Sequence, residues 1–194
     1  MNKQDTKQTL LETGTKLIFR QGYNHTGLNE ILESAGVPKG SFYYYFSSKE
    51  DFGLQALDDF IERTRALFAA VLEDDTVDPL TRIHRYFDRY ADYLESMQCS
   101  QGCLLGNLGQ ELADQNEAFR LKIEEGMNGV ADMLASCLRG AQAAGQINAA
   151  LDPEELAAFI YNSWQGAMLR MKVSKSMEPV YSFKKMLFEV ILKP

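Results

Sequence analysis

The sequence lacks the features that place a chain in or across a membrane. It contains no run of about 18 apolar residues, and a membrane-spanning helix is therefore not expected. The first residues, MNKQDTKQTLLETG, have no apolar stretch typical of a secretion signal. We therefore expect a cytoplasmic protein whose cysteine thiols stay mostly reduced.

Cysteine and histidine are scarce, which argues against several kinds of site. The three cysteines are Cys99, Cys103 and Cys137, and an odd number does not suit a disulfide framework. His25 and His84 are the two histidines, so a four-ligand zinc site would need improbable convergence. No Cys–His–Asp set for nucleophilic catalysis is visible. We therefore expect no metal, no cofactor and no enzymatic activity, and a cysteine-dependent enzyme is the less favoured class.

The net charge of −7 is unevenly distributed along the chain. Residues 1–50 carry six Lys/Arg and five Asp/Glu, a net charge of +1. Residues 51–194 carry fourteen Lys/Arg and twenty-two Asp/Glu, a net charge of −8. A near-neutral segment can still bind DNA if its few cations lie close together. The overall charge therefore does not exclude nucleic acid as a partner.

Alternating β-branched runs are scarce, whereas apolar residues recur at helical spacing along the whole chain. This pattern predicts an all-α protein of about nine helices. The expected helices cover approximately residues 6–21, 26–35, 41–46, 49–72, 79–97, 103–113, 114–144, 153–172 and 180–192.

The segment TGLNEILESAGVPKGSFYYYF, residues 26–46, carries the strongest functional signal. Two short helices meet at a turn that contains Gly36, as in a helix-turn-helix, whose second helix enters the major groove of DNA. Phe42 and Phe46 are one helical turn apart and should anchor this helix in the core. Three consecutive tyrosines cannot all be buried beside them, and exposed aromatic side chains favour a binding partner.

The other residues of this segment supply the predicted contacts with DNA. Gly40 would allow close approach of the backbone, and Lys39 and Lys49 would bind phosphates at the two ends of the helix. Tyrosine hydroxyls also bond phosphates, and such contacts fix the register of the protein on DNA. The predicted DNA-binding residues are Thr26, Gly27, Lys39, Gly40, Ser41, Tyr43, Tyr44 and Lys49.

This segment resembles the N-terminal signature of the TetR/AcrR family of transcriptional regulators. The matching elements are Thr26-Gly27 at the start of the second helix, Ala35-Gly36-Val37 at the turn, KGSFYYYF as recognition helix and SSKEDF before the fourth helix. The resemblance implies a three-helix helix-turn-helix DNA-binding domain over residues 1–48. It also implies a helical regulatory domain for ligand binding and dimerisation over residues 49–194.

The resemblance further implies a homodimer, usually a repressor, that binds a palindromic operator in double-stranded DNA. Its two recognition helices must lie about 34–36 Å apart to enter successive major grooves. A ligand among the fourth to seventh helices would tilt the fourth helix and make this spacing wrong. An activator needs the same DNA contacts, so both modes of regulation stay open.

The last two helices form the dimer interface that the resemblance implies. Their broad apolar faces also suit a helix pair that covers a single core, although aromatic and Met enrichment is typical of interfaces. The predicted interface residues are Phe159, Trp164, Met168, Phe183, Met186, Leu187 and Val190.

An aromatic stripe on the fifth helix, with nearby Met and amide side chains, predicts a small and largely apolar effector. Aromatic residues at helical spacing more often belong to the hydrophobic core than to a ligand pocket. The candidate effector-pocket residues are Phe60, Phe87, Tyr90, Tyr93, Cys103, Leu104, Asn107, Leu108, Met127, Tyr161 and Gln165.

Cys103 has two interpretations. With Ser100 or Gly102 as N-cap, it would lie in the first turn of the sixth helix, where the helix dipole stabilises a thiolate. It would otherwise be a small apolar side chain packed beside Leu104. The pattern GCLLGNLGQEL resembles the NemR-like branch of the family, in which a cysteine at this position senses electrophiles or oxidants. Cys99 would be the resolving partner of Cys103 in such a sensor. Relatives with a similar pattern bind ordinary small ligands, so reversible ligand binding is the alternative to a reactive Cys103.

Overall fold

The computed structural model describes residues 3–193, with side chains from Asp5 onward, and these residues contain helices but no strand. This confirms the all-α prediction. The helices are α1 (Lys3–Gln21), α2 (Leu28–Ala35), α3 (Lys39–Tyr45), α4 (Lys49–Leu72), α5 (Pro79–Ser96), α6 (Leu104–Leu112), α7 (Glu117–Ala143), α8 (Pro153–Ser174) and α9 (Glu178–Met186). A single π-helical turn, Leu187–Ile191, continues α9.

Several helix boundaries differ by one to three residues from the sequence-based expectation, and two of the differences change the local structure. Helix α6 begins at Leu104, so Cys103 precedes the helix instead of lying in its first turn. The last predicted helix changes into a π-turn, where the Leu192 N–H donates to the Leu187 carbonyl at 2.8 Å. The apolar pattern of the sequence does not predict this π-turn, because a π-turn is only one residue longer than an α-helical turn.

The predicted helix starts and stops have local causes in the structure. The Asp78 carboxylate caps α5 by accepting from the Thr81 N–H at 3.0 Å. Asp152 caps α8 in the same way, with the Glu155 N–H at 2.9 Å. Gly36 ends α2 with a φ of 64°, a left-handed conformation that glycine adopts without strain.

The described residues divide into two units. The first contains the chain up to Thr64 together with Leu104–Glu125. The second contains Arg65–Cys103 and the chain from Gly126 onward. Helices α4 and α7 therefore each contribute residues to both units.

An aromatic core holds the helix-turn-helix in the first unit. The Phe42 and Phe46 ring centroids lie 5.1 Å apart, and the Phe46 and Phe52 centroids lie 5.0 Å apart. All three side chains are buried, as the spacing of Phe42 and Phe46 predicts. Helix α3 is therefore fixed against the start of α4 by these rings.

The second unit has its own apolar core, in which α5 and α8 contribute the central aromatic residues. The Phe87 and Trp164 ring centroids lie 5.0 Å apart, and both side chains are almost completely buried. Within residues 3–193, no helix is both long and apolar enough to cross a membrane.

Gly14 is a position where the first unit has no room for a side chain. A Cβ atom there would lie 2.2 Å from Cζ of the buried Phe52. We expect Gly14→Ala to lower the free energy of unfolding by about 1–3 kcal/mol because it overpacks the core. Urea denaturation followed by circular dichroism measures the change.

Gly129→Ala in α7 is the matched control. A Cβ atom at Gly129 would meet no heavy atom within 4 Å. It should leave stability unchanged or raise it by up to about 1 kcal/mol through helix propensity. Equal stability of the two variants would contradict the packing described for Gly14.

Candidate functional site

Helix α3 has one buried face and one exposed face. Phe42 is completely buried, whereas Tyr43 and Tyr44 are 60% and 65% exposed. Lys39 and Gly40 are exposed at the start of the helix. The structure therefore brings four of the predicted DNA-binding residues together on one accessible surface. Ser41 is half-buried beside them.

Thr26 and Gly27, at the entry to α2, have different environments. Thr26 is completely buried, and its hydroxyl donates to the Gly22 carbonyl at 2.6 Å. Gly27 is exposed, and a Cβ atom there would meet nothing within 4 Å. The Thr26 side chain therefore holds the loop between α1 and α2, while Gly27 lies at the surface.

The Lys49 ammonium group has an internal partner. Its Nζ donates to the Tyr23 carbonyl at 2.9 Å and lies 4.4 Å from the centre of the Tyr23 ring. Burial lowers the pKa of Lys49, and the negative charge of Glu111 opposes this shift. The cation predicted to bind phosphate therefore also fixes the loop between α1 and α2.

Glu111, near the end of α6, binds the same loop and was not predicted from the sequence. Its carboxylate accepts from the Tyr23 N–H at 2.9 Å and from the Asn24 N–H at 2.7 Å. Burial raises the pKa of Tyr23 to about 12, and the charges of Glu50 and Glu111 add to this effect. Hydrogen bonds to a carboxylate are stronger than neutral ones, so α6 is firmly attached to the helix-turn-helix.

A cluster of tyrosines surrounds Cys103 in the second unit. Burial raises the pKa values of Tyr86, Tyr90 and Tyr161, and the nearby Cys103 raises them further. The Tyr90 and Tyr93 ring centroids lie 6.1 Å apart. The structure thus brings together four predicted pocket residues, to which it adds Tyr86. We call these five residues the Cys103 cluster.

Three polar groups on α8 have no hydrogen-bond partner among the described residues. They are the Tyr161 hydroxyl, the Trp164 indole Nε1 and the Gln165 amide Nε2, and all three atoms are buried. Gln165 and Cys103 lie beside the Tyr161 hydroxyl without completing a hydrogen bond. Leaving such a group unpaired costs about 1–3 kcal/mol. Tyr161 and Gln165 were predicted as pocket residues, whereas Trp164 was not.

Two other predicted pocket residues belong to the apolar core of the second unit. Phe87 is completely buried, and its ring centroid lies 5.3 Å from that of Phe183. Met127 is partly buried and packs against the same core. The structure therefore gives both side chains a packing role.

The remaining pocket candidates lie in the first unit. Leu104 and Leu108 line a small apolar crevice of about 10 Å³, which is room for about one water molecule. The Phe60 ring centroid lies 6.4 Å from that of Phe19, and Asn107 is half-buried. The crevice beside Leu104 and Leu108 is therefore too small for an organic effector.

All three cysteines are free thiols. Cys103 is partly exposed, whereas Cys99 and Cys137 are buried. Burial raises the pKa of Cys137 to about 11. Cys99 follows Gln98, and both adopt the left-handed conformation that non-glycine residues rarely occupy, with φ of 54° and 52°. No group of three or more His, Cys, Asp or Glu suited to a metal ion occurs within residues 3–193.

The predicted dimer-interface residues separate into two groups. Trp164, Met168 and Leu187 are at most 2% exposed and lie in the core of the second unit. Helix α8 is apolar on two faces, so the sequence alone could not show which face turns inward. Phe183 is partly buried against the same core.

The other interface candidates lie on an exposed apolar surface. Phe159, Met186 and Val190 are each at least 50% exposed. Leu169 and Val173 on α8 are 46% and 69% exposed and were not predicted from the sequence. We call these five residues the exposed apolar surface.

Known proteins share both the sequence pattern and the fold of this chain. Residues 10–55 match the family of bacterial regulatory proteins called tetR, and residues 79–187 match the tetracyclin repressor-like C-terminal domain. The transcriptional repressor DhaR of Mycobacterium sp. strain GP1 is 35% identical over 192 residues, which cover 99% of this chain and 95% of DhaR. The chain belongs to the TetR family of helix-turn-helix transcriptional regulators.

Two further relatives place the chain within this family. The transcriptional regulator AcuR of Cereibacter sphaeroides is 37% identical, covering 91% of this chain and 80% of AcuR. The crystal structure of reduced Escherichia coli NemR superposes with a TM-score of 0.89 and 32% identity over 98% of both chains. The chain is thus a transcriptional regulator of the TetR family, and it is similar to the repressors NemR and DhaR.

The unpaired Tyr161 hydroxyl gives a prediction for stability. Tyr161→Phe removes a buried group that has no hydrogen-bond partner, so the free energy of unfolding should stay unchanged or rise. Thr26→Val is the matched control because it removes a buried hydroxyl that does have a partner. It should lower the free energy of unfolding by about 1 kcal/mol in urea denaturation. An equal loss in both variants would show that the Tyr161 hydroxyl is bonded.

Proposed function

We propose that the protein is a ligand- or electrophile-responsive transcriptional repressor that binds a palindromic operator as a homodimer. The observation that carries this proposal is the exposed face of α3, where Tyr43 and Tyr44 lie beside Lys39 and Gly40. A helix with this composition can enter the major groove, and its cation and hydroxyls can bond phosphates. The related repressors DhaR and NemR support the same function.

The exposed apolar surface supports the homodimer. Phe159, Leu169 and Val173 follow one face of α8, and Met186 and Val190 lie at and beyond the end of α9. A soluble monomer rarely exposes so many large apolar side chains on two consecutive elements. A second copy of the chain would cover them and set the distance between the two recognition helices.

The position of Cys103 supports a role in the response. It is the residue directly before α6, and Glu111 of the same helix binds the loop between α1 and α2. A ligand or adduct at Cys103 would therefore act on the start of a helix whose other end holds the helix-turn-helix. An effector that binds the state unable to bind DNA ten times more tightly shifts the equilibrium toward that state tenfold, which corresponds to about 1.4 kcal/mol.

Substitutions on α3 test the DNA-binding face. Tyr43→Ala should weaken binding across different sequences without unfolding the protein, because this side chain is 60% exposed. Lys39→Ala should also weaken binding, with a salt dependence that is shallower by about one unit of slope. Fluorescence anisotropy with the promoter fragment of its own gene, measured over a range of salt concentrations, gives both values.

Lys49→Ala distinguishes two roles for its ammonium group. A phosphate contact predicts a shallower salt slope, whereas support of the loop through Tyr23 predicts weaker binding with an unchanged slope. Lys193→Ala, an exposed lysine of the second unit, is the control and should alter neither affinity nor slope. Full affinity of both Tyr43→Ala and Lys39→Ala would contradict the proposed DNA-binding face.

Alkylation tests whether Cys103 itself is the sensor. The thiol adds across the double bond of N-ethylmaleimide, so that sulfur bonds to one alkene carbon and the proton goes to the other. We expect this reagent to release wild-type protein from the promoter fragment in an electrophoretic mobility shift. Cys103→Ser should stay bound.

Cys99→Ser and Cys137→Ser are the controls, because both thiols are buried. They should be released like the wild type. Release of Cys103→Ser by the same dose would remove Cys103 as the reactive group and leave the reversible-ligand mode.

A further inference from the structure

We infer that Tyr161, Trp164 and Gln165 form the polar end of an effector site that selects a small molecule with an apolar body and a neutral carbonyl oxygen. This inference rests on the proposed function and specifies its effector. The three residues lie three and four positions apart on α8, so they share one face of the helix.

The polar groups of these three residues are buried without hydrogen-bond partners among the described residues. Tyr161 is 6% exposed and Trp164 is 1% exposed, yet neither the hydroxyl nor the indole N–H makes a hydrogen bond within the described residues. The Gln165 Nε2 atom is also buried and makes no hydrogen bond within the described residues. Buried polar groups are normally paired, and three unpaired groups on one helix face are groups that a bound acceptor would pair.

Aromatic rings and a thiol lie next to these groups. The Tyr90 ring centroid lies 5.5 Å from that of Trp164, and the Phe183 ring centroid lies 5.2 Å from that of Trp164. Cys103 lies beside the Tyr161 hydroxyl. The groups next to these donors are thus aromatic rings and a thiol, which suit an apolar ligand body.

The polar groups of this site are hydrogen-bond donors. An indole N–H and an amide NH₂ only donate hydrogen bonds, and a phenol hydroxyl can donate as well. Their common complement is an acceptor oxygen. The neighbouring Cys103 and tyrosines offer no positive charge, and a carboxylate buried without a cation is strongly disfavoured. The site therefore favours a neutral carbonyl over a carboxylate.

Trp164 provides a direct readout because it is the single tryptophan of the chain. Full-length protein labelled with ¹⁵N gives one indole N–H signal, which a new acceptor shifts downfield. We would titrate cyclohexanone, methylenecyclohexane and cyclohexanecarboxylate, which share a ring but differ in the acceptor. Cyclohexanone should give a saturable downfield shift, and methylenecyclohexane, which has no oxygen, should bind at least about tenfold more weakly.

Tyr161→Phe should weaken the binding of cyclohexanone about three- to tenfold, the effect of one lost hydrogen bond. Tyr181→Phe removes an exposed hydroxyl that bonds Glu95 and should bind like the wild type. Equal binding of cyclohexanone and methylenecyclohexane, or no saturable shift with cyclohexanone, would overturn the inference. Tighter binding of cyclohexanecarboxylate would overturn the choice of a neutral group.

The titration needs no DNA, so its result is independent of the proposed repressor function. Saturable binding of cyclohexanone by protein that does not bind the promoter fragment would support this site and refute the proposed function. Promoter binding together with no response of the Trp164 signal would refute this site alone.

Discussion

The attachment of the helix-turn-helix depends on one carboxylate. Glu111 accepts hydrogen bonds from two consecutive backbone N–H groups, of Tyr23 and Asn24, while Lys49 donates to the Tyr23 carbonyl. The loop between α1 and α2 is therefore held from α6 and from α4 at once. Because backbone groups are used, the contact fixes the path of the chain and not only the position of a side chain.

This attachment links the two parts of the proposed function. Cys103 and its cluster belong to the second unit, and the next residue in the chain is the first of α6. In the proposed function, an adduct or ligand at Cys103 would act on the helix that carries Glu111 through the chain itself.

Local patterns were sufficient to predict most of the fold. Helical periodicity and the turn at Gly36 each depend on residues within one or two turns of each other, and the structure has these helices. The resemblance carried by residues 26–55 predicted the family, which the comparisons confirm. The burial of Phe42 and Phe46 likewise followed from their spacing alone. The pocket was only partly predictable, because its residues come from separate helices.

The sequence by itself thus determined the helices, the helix-turn-helix and the family, since each depends on short-range spacing. Only the tertiary structure decided which face of α8 turns inward, because that helix is apolar on both sides. It placed Trp164 in the core and Phe159 at the surface, although both suited an interface equally well. It also paired Glu111 with a loop 87 and 88 residues away, a contact that no local pattern encodes.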